Sequence, residues 1–448
     1  MLILPSANSV LLTRRDRLRW SALLLIYRLL LPLLFIAAFP GWILKMLRRG
    51  GFGTRLGERA GIYTTPQESE PRGAVHLHAV SVGESLLALK LIRKWREQAP
   101  EQYFVLATGT ATGHAVATAA DIPGLRVTYA PLDLPSMVSR YIKHFGPKRI
   151  VLIEGEAWPH LLLECNRRSI PVTLVNARMS PRSSRRYRRF ATWLQPVFSM
   201  LEGVAIQEPE DAEIWRLLGV DACRIHHTGS LKFDPDGGSP PTRRLEFQRI
   251  FDTFGKNRPV VLAASTHSGE DAWVASAIRE AAPHALPVIA PRHAERRAEV
   301  EQDLKRAGFH GILRSKLDPT AMPTPSQVLV IDSTGELRDW TAHADVVVIG
   351  KSFFSTGGQN PTEAIQAKKP VIFGSHMENF EPLASRLIIA RGCIRAVDQS
   401  GLIQAIRDAL IPATAAEMTR NASQVLACHQ GATQRILALL TTSTPSVK

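Results

Sequence analysis

The sequence predicts an α/β protein of two domains, each built on a mostly parallel sheet with helices on both faces. At 448 residues the chain is longer than most single domains. Short apolar runs alternate with stretches of helical periodicity, the pattern of strand–helix–strand units. A polar, turn-forming stretch from Asp234 to Thr242, rich in proline and glycine, interrupts that alternation midway. The expected organisation is an N-terminal segment (1–61), a first domain (62–233), a linker (234–258), a second domain (259–412) and a helical tail (413–448) able to cross back to the first domain. A hydrophobic fraction of 45% is ample for two cores. The formal charge of +15 calls for an anionic partner: nucleic acid, an anionic membrane surface or a phosphorylated substrate. The cysteines Cys165, Cys223, Cys393 and Cys428 have no CxxC spacing, which argues against zinc and a disulfide scaffold and fits a reducing compartment.

Leu23 to Leu44 is strongly apolar, broken by Arg28, Pro32 and Pro40. Arg14, Arg15, Arg17 and Arg19 precede it, and Lys45, Arg48, Arg49, Arg55 and Arg59 follow. Its length is near the minimum for a bilayer span, and it lacks the small-residue cleavage site of a removed signal peptide. A single span, a helix lying in the interface and a buried helix of a soluble domain all fit. Basic flanks on both sides suit either membrane reading and set no orientation. Arg28 would snorkel if it lies near an interface.

In the first domain, strands are expected at Val75–Ser81, Tyr103–Thr108, Arg126–Ala130, Arg149–Ile153, Val172–Asn176, Val204–Gln207 and His226–Gly229. Parallel sheets bind ligands beyond the carboxyl ends of their strands, so residues there are the candidates. Glu84, in Ser81-Val82-Gly83-Glu84, opens a helix. A carboxylate there is either favoured by the helix dipole alone or is a general base for an acceptor hydroxyl. Glu154 and Glu156 at the end of the fourth strand suggest a cleft or a solvated capping loop. After the fifth strand comes Arg178, then Pro181 to Phe190, the most basic run of the chain. That run is either a solvated helix face or a contact for phosphates at a bilayer surface. Nucleic acid is the weaker rival, because no nucleic-acid module and no array of aromatics accompanies it. Lys232, at the domain edge, is placed to meet substrate charge.

In the second domain the expected strands are Pro259–Ala264, Pro287–Ala290, Gln327–Ile331, Ala344–Gly350 and Pro370–Phe373. The loop Ser355-Thr356-Gly357-Gly358 leads to Asn360-Pro361, which opens a helix carrying Glu363. Free N–H groups there suit a phosphate, and the carboxylate suits ribose hydroxyls, so the stretch reads as a nucleotide-sugar site or as an ordinary strand–loop–helix. Thr266 and Ser268 are expected to cap a helix and bind phosphate, Arg292 to pair with an anion, and Gly335 to admit a ligand to the backbone.

Taken in order, these pieces resemble the bacterial Kdo transferases, which attach 3-deoxy-D-manno-octulosonic acid (Kdo) to a lipid A precursor. The carriers include His78–Glu84, Glu154–Pro159, Val175–Ser183, Thr228–Asp234, Ser265–Glu270, Ala290–Arg296, Asp332–Leu337, Gly357–Ala364 and Phe373–Phe380. The chain departs from the family pattern at Gly155, at Lys351 and at Gln359. The resemblance implies a GT-B glycosyltransferase of lipopolysaccharide core biosynthesis: two Rossmann-like domains with a cleft between them, plus an N-terminal membrane-associated helix. It implies inverting transfer from CMP-Kdo to lipid IVA at the cytoplasmic face of the inner membrane. No cofactor or catalytic metal is expected, and CMP-Kdo is a substrate. Glu84 matches the catalytic base, and Glu154 and Lys232 match positions that stabilise the transition state. Pro291, Arg292, Thr334, Gly335, Glu336, Asn360, Pro361, Thr362 and Glu363 match CMP-binding positions. With Lys232, Arg178 would offset the donor carboxylate or acceptor phosphates. The expected partners are CMP-Kdo, the lipid A precursor and an anionic phospholipid surface, with no nucleic acid; the oligomeric state stays open. The competing readings are another membrane-associated GT-B enzyme with a different nucleotide sugar or acceptor, and a non-catalytic anion- or membrane-binding protein.

Overall fold

The computed structural model describes residues 21–33, 36–37, 40–41, 55–155, 157–179, 181–234, 241–317, 324 and 326–442. The chain folds as two units, Met1–Asp236 with His429–Lys448, and Gly237–Cys428.

The first unit holds a seven-stranded parallel sheet of order β3-β2-β1-β4-β5-β6-β7. Its strands are β1 (Val75–Ala79), β2 (Phe104–Thr108), β3 (Leu125–Tyr129), β4 (Arg149–Ile153), β5 (Val172–Ala177), β6 (Gly203–Ile206) and β7 (Ile225–His227). Order reverses between β1 and β4, so the crevice that such sheets offer to ligands opens beyond those two strands. β1, β2, β4, β5 and β6 are buried along their length, as helices on both faces require. β1 carries polar side chains inside that core. The Tyr141 hydroxyl bridges His76 Nδ1 at 2.6 Å and His78 Nε2 at 3.2 Å, and burial pushes His78 down to about 4, so it is neutral near pH 7. β1 stops at Ala79, short of the expected Ser81, because Ser81 caps the following helix. β7 sits at Ile225–His227 rather than at His226–Gly229.

The second unit repeats the architecture. Its strands are β8 (Val260–Thr266), β9 (Leu286–Pro291), β10 (His310–Leu313), β11 (Gln327–Val330), β12 (Val346–Ile349), β13 (Val371–Phe373) and β14 (Ile394–Arg395). They form a parallel sheet of order β10-β11-β9-β8-β12-β13-β14, reversing between β8 and β12. Sequence reading misses β10 and β14. Both are edge strands, short and partly exposed, so they lack the apolar run that marks a central strand. The stretch expected as linker carries a helix, Leu245–Thr253, whose Phe247 stacks on Trp340 at 3.7 Å.

Two segments complete the first unit. Residues 21–33 are helical, with Leu24 buried in the core. The Tyr27 hydroxyl donates to Asp133 Oδ2 at 3.0 Å. That carboxylate also accepts the N–H groups of His160 and Leu161, capping the helix Pro159–Arg167. Arg28 Nε donates to His160 Nε2 at 3.1 Å, which fits His160 Nδ1–H donating to the Asp133 carbonyl. Leu25, Ile26, Leu29, Leu30 and Leu33 are exposed. Among the described residues no helix is long and apolar enough to cross a membrane. Residues 34–35, 38–39 and 42–44 of the expected apolar stretch, and Arg14, Arg15, Arg17, Arg19, Lys45, Arg48 and Arg49, lie outside the described residues. Arg59, expected among the basic flanks, instead lies over the Tyr129 ring and donates to the Gly109 carbonyl. At the other end the helix Ala432–Thr442 inserts Ile436, Leu437 and Leu440 into the apolar cluster built by the helix Val82–Gln98. The Asp234 carboxylate fixes its start, accepting from Gly431 N–H, Thr433 N–H and the Thr433 hydroxyl.

Candidate active site

Beyond β1, Ser81 and Glu84 form a reciprocal cap on the helix Val82–Gln98. Ser81 Oγ accepts the Glu84 N–H at 3.2 Å and donates to Glu84 Oε1 at 2.8 Å, while Val80 N–H donates to Glu84 Oε2 at 2.8 Å. Two donors therefore hold one carboxylate orientation. Each oxygen keeps a further lone pair for an incoming hydroxyl. Gly109 supports this turn from β2: a Cβ there would meet the Val80 Cα at 2.8 Å, so only glycine fits.

Beyond β4, Glu154 adopts a left-handed backbone (φ 66°), and its N–H donates to the Val175 carbonyl on the neighbouring strand. Burial pushes its carboxyl up. Arg178 and Lys232 oppose that rise, and Glu84 adds to it. Burial likewise pushes the Lys232 ammonium down, with Arg178 in the same sense and Glu154 against it. Glu84, Glu154, Arg178 and Lys232, read separately from four strand ends, thus lie in one electrostatic neighbourhood. Glu156 lies outside the described residues.

Asn176, which sequence reading left out of the site, ties this group together. It is fully buried and left-handed (φ 55°). Its Nδ2 donates to Glu154 Oε1 at 3.4 Å, and its Oδ1 accepts the Leu231 N–H at 2.8 Å, next to Lys232. Its signal in the sequence is an amide next to the last residue of the mostly apolar β5. The basic stretch after Arg178 forms the helix Pro181–Arg189, with Arg182, Arg185, Arg186, Arg188 and Arg189 exposed and Arg188 paired with Glu213 at 2.8 Å.

In the second unit the loops beyond β8 and β12 meet on a carboxylate. Glu270 is 1% exposed and accepts four backbone N–H groups: His267 at 2.9 Å, Lys351 at 2.7 Å, Ser352 at 3.2 Å and Phe353 at 3.3 Å. An internal anion thus fills the first N–H groups after β12; the helix start at Asn360-Pro361, where free N–H groups are expected, lies further along the loop. Thr266 and Ser268 are also engaged, donating to Asp271 at 2.5 Å and Glu299 at 2.6 Å, so neither hydroxyl proton is open to a phosphate. At the helix Thr362–Gln366, Asn360 Oδ1 accepts both the N–H and the hydroxyl of Thr362, and Pro361 is buried. Burial pushes the Glu363 carboxyl up, countered by Arg338 and by Arg292, so Arg292 and Glu363 share a site. Pro291 ends β9 beside Arg292. Thr334 and Gly335 form an exposed turn with Gly335 left-handed (φ 80°). Glu336 accepts from Arg314 at 3.2 Å and from the Ser333 hydroxyl at 2.6 Å.

The sequence pattern of the family described as "3-Deoxy-D-manno-octulosonic-acid transferase (kdotransferase)" matches residues 54–235. The 3-deoxy-D-manno-octulosonic acid transferase of Haemophilus influenzae is 32% identical over 86% of this chain and 90% of its own. That of Bordetella pertussis is 34% identical over 89% of this chain and 94% of its own. The chain belongs to the Kdo transferase family. It is therefore a glycosyltransferase, and its two parallel-sheet units are those of a GT-B enzyme. The fold is shared with Anabaena Alr3699/HepE in complex with UDP, at a TM-score of 0.51 and 13% identity, over 82% of this chain and 100% of that one. In this Kdo transferase Glu84 and Glu154 follow the two strands where the first sheet reverses, β1 and β4, and Glu270 and the loop to Glu363 follow β8 and β12, where the second does, the places where doubly wound sheets hold ligands.

Proposed function

We propose that this chain moves Kdo from CMP-Kdo onto the lipid A precursor lipid IVA, with inversion at the anomeric carbon, at the cytoplasmic face of the inner membrane. The observation that carries the reading is the Glu84 carboxylate, oriented by Ser81 and Val80 and grouped with Glu154, Arg178 and Lys232. A fixed carboxylate with open lone pairs is suited to take the proton of an acceptor hydroxyl as CMP leaves. Arg178 and Lys232 supply positive charge for the donor's carboxylate or the acceptor's phosphates, and their partial desolvation strengthens that attraction. Arg292 and Glu363 would hold the phosphate and ribose of CMP. The family relation supports Kdo as the transferred group, and the exposed apolar face of residues 25–33 supports a lipid surface. The reading includes no obligatory metal, so turnover should survive EDTA.

The test is incubation with CMP-Kdo and a tetraacylated lipid A precursor, followed by mass spectrometry. We expect a product heavier by Kdo and none from UDP-sugars. Glu84→Gln, which keeps size and removes the base, should lower turnover by about 100-fold or more. Near-native turnover of that variant would remove Glu84 from the chemistry, and absence of transfer by the native protein would remove the reading.

A further inference from the structure

We propose that the Lys351 side chain is a phosphate-binding group for the donor, an inference that rests on the CMP-sugar reading above. Lys351 follows β12 at the reversal point of the second sheet. Its backbone is left-handed (φ 55°), a conformation that favours glycine over lysine. The other left-handed basic residues here, Lys368 and Arg391, directly follow the ends of helices, where such a residue is an ordinary stop. Lys351 ends no helix. It is pinned by its neighbours: its N–H donates to Glu270, and its carbonyl accepts the Gly358 N–H at 3.1 Å. This turn folds the side chain back over the glycine pair, with Nζ 3.7 Å from where a Cβ on Gly357 would sit. A half-buried ammonium is thereby held beside the turn that leads to Asn360, Pro361 and Glu363.

Two further facts give that ammonium a ligand. Lys351 makes no side-chain hydrogen bond or ion pair among the described residues. The first three N–H groups of the loop after β12, those of Lys351, Ser352 and Phe353, are taken by Glu270. Where backbone donors already serve an internal carboxylate, side-chain charge is what that part of the loop offers an external anion. Arg296, the other cation beside this loop, is saturated by Asp271, Glu299 and the Thr266 carbonyl. Lys351 and Arg292 remain. The ligand class is a phosphate monoester or diester on a nucleoside, and the contact is a charge-assisted hydrogen bond to a non-bridging oxygen.

The experiment is Lys351→Gly, which removes the ammonium and accepts the left-handed backbone, read by calorimetric titration with CMP and with cytidine. We expect affinity for CMP to fall about 10-fold, the size of one charge-assisted hydrogen bond, with cytidine affinity unchanged and the thermal midpoint no lower than native. In the transfer assay KM for CMP-Kdo should rise by a similar factor, with kcat changing less. Lys351→Arg should recover most of the CMP affinity. Equal CMP affinity of native protein and Lys351→Gly overturns the inference and leaves the donor reading standing. Failure of native protein to bind CMP at all overturns both.

Discussion

At the scale of the residue, the chemistry rests on carboxylates that the fold treats differently. Glu84 is wired to two donors at a helix start, whereas Glu154 sits deeper, among cations and beside Asn176. Burial raises the Glu154 pKa above its ordinary value of 4.5. The folded state thus holds a proton that the unfolded chain has already released, so stability falls as pH rises through that interval and stays lowered above it. Glu154→Gln lacks this loss. The difference in thermal midpoint, variant minus native, should therefore move in the variant's favour as pH rises from about 4 to about 7, while turnover falls. A pH-independent difference would mean that Glu154 is not desolvated. Sequence reading finds Glu84, Glu154 and Arg178 because each follows a strand or opens a helix, and Lys232 because it sits at the domain edge. It cannot find Asn176, because an amide near the end of a mostly apolar strand looks the same whether it faces solvent or bridges two loops.

At the scale of the element, the central strands and the capped helix Val82–Gln98 are legible because burial on two faces and a Ser-x-x-Glu start leave strong local patterns. The edges β10 and β14 leave none. The loop after β12 teaches the limit of motif reading. A glycine-bearing strand–loop–helix marks a turn, but not that its first N–H groups, at Lys351, Ser352 and Phe353, close on Glu270, distant in sequence and reaching in from the β8 loop. That carboxylate is the loop's organiser. In Glu270→Gln a single carbonyl oxygen must serve four donors, and the amide's own N–H groups face them. We expect a loss of about 3 kcal/mol in denaturant unfolding, typical of disrupting a buried charge-assisted network. A loss within about 0.5 kcal/mol, ordinary for a surface change, would show that the network is not a stabilising element.

At the scale of the whole molecule, the charge of +15 and the apolar face of residues 25–33 point the same way, toward an anionic lipid surface. Leu25, Leu29 and Leu33 recur at helical spacing on that face. Replacing all three by serine should cut co-sedimentation with phosphatidylglycerol vesicles at least several-fold, at about 0.8 kcal/mol for each buried methylene lost, with transfer to a detergent-dispersed acceptor retained. Unchanged vesicle binding would assign adsorption to the basic helix Pro181–Arg189 instead. Sequence reading sees the hydrophobic stretch but not its partition, with Leu24 turned into the core and its neighbours outward. The path of the chain carries one more consequence. The second unit is an insertion between Asp234 and the helix Ala432–Thr442, which Asp234 itself caps. During synthesis on a ribosome the amino-terminal half must therefore wait, its Leu89 and Ile92 lacking Ile436 and Leu437, until everything between has emerged. A premature stop codon near the 3′ end would leave that early-made half unfinished and exposed to proteases.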